Sequence, residues 1–133
     1  MEDLERIYSE GVLLAYIIRV KMRPEKTTFL TPSDLNLQLG FVVYPKGGNV
    51  IPHVHLPAER TIVGTCEVLL VKKGRCEIDI YNDERKLVVT RELSEGDLVL
   101  TVGGGHGFRM LEVTVLLEVK QGPYPESGDK VRF

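Results

Sequence analysis

The chain has only two cysteines, Cys66 and Cys76, and no CxxC spacing between them. A disulfide framework therefore has no basis, and two free buried thiols are the simpler reading. Long apolar runs are missing too. The longest, Gly11 to Ile18, is too short to span a bilayer, and the acidic start Met1, Glu2, Asp3 lacks the positive region of a signal peptide. The expectation is a soluble, cytoplasmic protein with no membrane partner. An excess of one charge is also lacking: the formal net charge is −2 and Lys and Arg are scattered, so no basic stripe is available for nucleic acid. There is no internal repeat and no low-complexity segment. What is present is an ordinary globular composition, 43% hydrophobic over 133 residues, which suits one domain, residues 1–133, with one core.

Strand signals run almost throughout. Val12 to Val20 is apolar and β-branched, and Leu35, Leu37, Leu39, Phe41 and Val43 alternate with their neighbours. Further strand-like runs are Val50 to Leu56, Cys66 to Lys72, Arg75 to Tyr81, Lys86 to Glu92, Leu98 to Val102 and Phe108 to Lys120. Turn residues separate them at Pro45 to Asn49, Lys73 and Gly74, Asn82 to Arg85, and Ser94 to Asp97. Only Glu2 to Glu10 suggests a short helix. Many short strands without helical spacing predict an all-β antiparallel sandwich or barrel over about residues 11–120. An irregular tail, 121–133, follows, with Pro123 and Pro125 excluding a central strand.

A two-residue turn at Lys73 and Gly74 would pair Val71 with Cys76, Leu69 with Ile78, and Glu67 with Ile80. Directly opposed residues share a face. That face is apolar except for Glu67, which thereby becomes an acid pointing inward, costly unless paired, protonated or bound to a cation. A three-residue turn would put Glu67 outside, but only the even turn leaves Cys76, Ile78 and Ile80 as a clean inward set.

The three histidines are placed suggestively. His53 and His55 are two apart, so in a strand both imidazoles point the same way, and His106 follows the run Gly103 to Gly105. Three imidazoles and a carboxylate make a mixed nitrogen and oxygen ligand set. The glycine run reads as a tight turn beside His106, since no helix start or Lys with Ser or Thr follows as a phosphate cradle requires. Arg60 and Arg109 are candidates to hold an anionic group, though surface charge is the commoner role. Phe108 and Met110 share parity with His106 and are expected in the core.

In this order the residues resemble the cupin family. Its first motif is matched by Gly47, His53 and His55, and, after a lengthened connection from Leu56 to Cys66, by Glu67 and Gly74. Glu59 stands three residues beyond His55 and is the alternative acid. The second motif is similar from Gly96 through Gly103 to Gly105 and His106, with Val102 where the family usually has Pro and Met110 where it usually has Asn. The resemblance implies a double-stranded β-helix, or jelly-roll, barrel, often a homodimer. It also implies a divalent transition metal ion (Fe, Mn, Ni, Cu or Zn) held by His53, His55, Glu67 and His106. Cupins include oxygenases, isomerases, epimerases and non-catalytic members, so the fold does not select a reaction. A metal-dependent small-molecule enzyme is the first expectation. A sugar or small-ligand binding module, or a metal-free isomerase or epimerase with a histidine base, is the alternative.

Overall fold

Alternating apolar side chains cut by turn residues fold into ten β-strands in the structure, a computed structural model that describes residues 2–125 and 128–133. In chain order these are β1 (Leu4–Ser9), β2 (Val12–Ile18), β3 (Thr28–Phe29), β4 (Gly40–Phe41), β5 (Glu67–Lys73), β6 (Arg75–Tyr81), β7 (Leu87–Ser94), β8 (Leu98–Thr101), β9 (Gly105–Met110) and β10 (Val115–Lys120). Among the described residues no helix is long and apolar enough to cross a membrane. The chain divides into two compact units, Met1–Met22 with Gly64–Phe133, and Arg23–Val63.

In the larger unit a five-stranded antiparallel sheet, ordered β1-β2-β8-β5-β10, faces a three-stranded one, ordered β7-β6-β9. Ile7, Ala15, Ile17, Leu69, Val71 and Val99 come from the first sheet and Cys76, Ile78, Ile80 and Leu93 from the second to form the core. Each fully buried side chain of Val or Ile size contributes on the order of 1.5–3 kcal/mol of apolar burial. Glu5 and Arg91 join the two sheets through a forked ion pair, with Arg91 Nε and Nη2 donating to the carboxylate at 3.0 and 2.8 Å. The turn before β8 is closed by the buried Asp97, whose carboxylate accepts from the backbone N–H of Ser94 and of Val20, both at 2.9 Å.

Gly74 is the pivot of this arrangement. With φ at 92° it occupies the left-handed region, and a side chain there would run into the carbonyl of Val113. The chain does not fold back at this point as a hairpin. It leaves the five-stranded sheet, where β5 lies between β8 and β10, and enters the three-stranded sheet as β6. The expected pairs Val71 with Cys76, Leu69 with Ile78 and Glu67 with Ile80 are therefore replaced; Leu69, for example, pairs with Val99 and Glu118. The inward faces are nevertheless those expected, because inner residues of two facing sheets point at one another as surely as residues of one sheet share a side.

Other expectations are corrected. Glu2 to Glu10 holds strand β1 instead of a helix: Ile7 enters the core and Glu5 reaches Arg91, so pairing with β2 overrides a weak helical preference. The run Phe108 to Lys120 is two strands in different sheets, broken between Met110 and Val115. The strands form separate sheets, not the closed barrel expected.

The smaller unit holds the short hairpin of β3 and β4. The Gln38 side chain donates to the carbonyls of Pro32 and Leu35, both at 2.8 Å, holding a turn where alternation from Leu35 to Val43 suggested a strand. Only Gly40–Phe41 is extended and paired. Val50 to Leu56 is not a strand either. Pro52 removes a backbone donor within it, and Val50, Ile51, Val54 and Leu56 are all exposed, so neither face is buried.

Candidate functional site

At one end of the larger unit the interior between the sheets turns polar. Glu67 opens β5 on the inward face, opposite Thr101 of β8 and Lys120 of β10, while Glu118 lies one inward step along β10, opposite Leu69. His106 of β9 is paired with the buried Ile80 and so points inward from the facing sheet. Its position depends on Gly104, whose left-handed backbone (φ 63°) packs against the Tyr81 carbonyl where no side chain fits. The glycine run thus makes the tight bend expected beside His106. These groups open into a cavity of about 870 Å³ lined wholly by residues of the larger unit, among them Glu67, Tyr81, Thr101, His106, Glu118 and Lys130.

The electrostatics follow from this crowding. The inward acid is real: burial, then its hydrogen bond and charge contact with Glu118, push the Glu67 carboxyl up to about 7. The same hydrogen bond, assisted by Lys120 and Lys130, holds Glu118 below its ordinary value. Glu67, whose side chain is 17% exposed, is the one that burial pushes toward its protonated form, and the neighbouring Glu118, 42% exposed, is the one held ionised. His106 Nε2 stands 3.9 Å from Glu67 Oε2, and burial lowers the imidazole's pKa and favours its neutral form. Lys120 is held by Glu118 at 3.7 Å and by Asp129 at 3.9 Å.

Of the four residues singled out as ligands, Glu67 and His106 therefore meet in the larger unit. His53 and His55 belong to the smaller one, where their rings lie edge to face with centroids 5.2 Å apart. The pair exists without the strand that was expected to create it. His53 Nδ1–H donates to the Ile51 carbonyl at 2.8 Å, which leaves Nε2 carrying the lone pair of the neutral ring. Glu59, the alternative acid, is an exposed residue of the smaller unit. Within neither unit do described residues gather three or more His, Cys, Asp or Glu side chains as a metal group. Glu67 and His106, the two that meet, offer the oxygen and nitrogen donor atoms that a divalent transition metal takes.

Some candidates have other work. Arg109 is engaged by Asp79 and Glu77 on the outward face of the three-stranded sheet, and Thr90 Oγ1 donates to the same Asp79 at 2.6 Å. Hydrogen bonds from Arg109 and Thr90 hold the Asp79 carboxyl below its usual range. Arg60 is exposed in the smaller unit. Phe108 packs on the core as expected, whereas Met110 is exposed. Cys66 and Cys76 are free and buried, and burial pushes the Cys76 thiol up, away from reactivity.

Glu118 was not visible as a site residue from sequence. Within Val115 to Lys120 the apolar set Val115, Leu117 and Val119 is the obvious inward face, yet these three are half exposed and Leu116, Glu118 and Lys120 share the face turned inward. The only signal was that Glu118 and Lys120 keep parity with Leu116.

No family model, curated protein or solved structure matches the chain.

Proposed function

We propose that the chain is a small-molecule protein of cupin-like, jelly-roll type that moves protons at its ligand, with Glu67, Glu118 and His106 at the floor of the larger unit's cavity. The observation that carries this reading is the enclosed Glu67 carboxyl, 3.9 Å from His106, with Glu118 on the wall of the same cavity. Such a pair holds an acid and a base side by side near neutral pH. Glu118, kept ionised, accepts a proton from the ligand; Glu67, kept protonated, donates one to it. Neutral His106 can hydrogen-bond a carbonyl or hydroxyl oxygen between them. This chemistry suits isomerisation or epimerisation next to a carbonyl. The test is hydrogen–deuterium exchange at ligand carbons, followed by NMR in D2O over a panel of 2-oxo acids and ketoses with chelator present. Exchange that falls about 100-fold or more in Glu118→Gln is expected; exchange with no member of the panel, or exchange indifferent to that substitution, contradicts the reading.

A second reading is favoured by the 3.9 Å approach of His106 to Glu67. It keeps the divalent transition metal of the cupin resemblance, with Glu67 and His106, the two candidate ligands that meet in the larger unit, holding it. The ion, when bound, would polarise a carbonyl oxygen as a Lewis acid. Elemental analysis of the purified protein separates the two: near-stoichiometric metal that is lost in Glu67→Gln and His106→Ala supports the metal centre, and metal content unchanged in both variants removes it.

A further inference from the structure

Residues 129–133 line the same cavity, contributing Asp129, Lys130, Val131, Arg132 and Phe133. Little holds them there. No backbone hydrogen bond among the described residues ties this segment down, and Val131 and Phe133 are 73% and 62% exposed. Its anchors are the Asp129 to Lys120 ion pair and the ring of Phe133.

The seat of that ring is better built than the segment that fills it. Tyr81 meets Phe133 edge to face, with centroids 5.0 Å apart and an interplanar angle of 84°. Arg85 Cζ lies 5.5 Å from the ring centroid, a cation–π contact. Arg85 gets there from a left-handed backbone (φ 63°), uncommon for a residue of its kind, in a turn fixed by Asn82 Oδ1, which accepts from the N–H of Glu84 at 3.0 Å and of Lys86 at 3.1 Å. On the other side the ring passes Gly105 so closely that a Cβ there would stand 3.0 Å from Phe133 Cζ. A cation, an aromatic edge and a bare backbone therefore surround a planar ring supplied by a weakly held segment.

We propose that the cradle of Tyr81, Arg85 and Gly105 is a subsite for a planar aromatic ring of the ligand, and that Phe133 occupies it as an internal competitor which the ligand displaces. The proposal rests on the cavity being a small-molecule site. A tethered ring competes at high effective concentration, so the free protein binds an outside ring only in the fraction of molecules whose Phe133 has left. A largely exposed segment with no backbone hydrogen bond among the described residues releases at little cost, which suits a displaceable occupant better than a core residue.

Indole, a neutral planar ring, serves as the probe in the full-length chain, with binding followed by amide shifts of Gly105 and by ring contacts of Phe133. Phe133→Ala is expected to bind indole about fivefold tighter or better, with the shifts centred on Gly105 and Tyr81 and an unchanged fold by circular dichroism. In the parent protein saturating indole should abolish the Phe133 to Gly105 contact. The same gain should appear in a Glu118→Gln background, so that failure of the proton-transfer reading and failure of this one are told apart. Indole binding no tighter in Phe133→Ala, or binding to the parent with the Phe133 contact intact, overturns the proposal.

Discussion

The two compact units contain equally persuasive alternating sequences and use them differently. From Arg75 to Tyr81 the alternate residues Cys76, Ile78 and Ile80 are fully buried, because a facing sheet covers them. From Val50 to Leu56 the apolar residues are as numerous, yet Ile51, Val54 and Leu56 are about four-fifths exposed and the segment has no ladder. The difference teaches that alternation is a condition for a strand but not a cause. A strand also needs a neighbour to satisfy its backbone and a layer to cover one face. Pro52 has no backbone N–H to offer a neighbouring strand.

That contrast sets the largest expected effect. Ile78→Ala removes a side chain enclosed in the core of the larger unit and should cost about 2–5 kcal/mol in urea unfolding. Ile51→Ala, 79% exposed in the smaller unit, should change stability by less than about 0.5 kcal/mol. Equal losses in the two variants would break the comparison.

The same contrast divides the candidate ligands. Glu67 and His106 are carried by strands in two facing sheets, whereas His53 and His55 sit on exposed chain positioned by a local bond to Ile51. A smaller effect sharpens this. Glu67 has its pKa raised in the folded state from 4.5 to about 7, so it contributes stability that is complete below about pH 4.5 and lost as pH rises through about 7. Relative to Glu67→Gln, which mimics the protonated form and does not titrate, the parent should therefore lose stability steadily over that interval. The lowered pKa of His106 acts in the opposite sense, adding stability as pH rises toward the ordinary imidazole value, so the difference between parent and variant is the quantity to measure.

Much of the larger unit was legible because its turns and its parity agree. The strand Arg75–Tyr81 has the bounds that its Gly74 and Asn82 flanks suggest, and the inward set was correct even though the pairing was not. Parity reports which way side chains point; it is silent on which strand lies next door, and at Gly74 a hairpin and a change of sheet put the same residues inward. Glu67 was legible for that reason. Glu118 was hidden because Val115, Leu117 and Val119 outweigh Leu116 in hydrophobicity, while β5 and β10 turn the other face to the core. The smaller unit was the least legible: the side-chain bonds of Gln38 to Pro32 and Leu35 fix a turn that periodicity reads as a strand.

The central claim is that Glu67 holds its proton near neutral pH while its neighbour Glu118 stays ionised, beside His106. The most direct measurement is a 13C NMR titration of the glutamate carboxyl groups in the full-length protein. Glu67 should titrate at about 7 and Glu118 below the ordinary glutamate range, and Glu118→Gln should bring the Glu67 midpoint down by removing the neighbouring negative charge. Two independent midpoints near 4.5, unmoved by that substitution, would contradict the account.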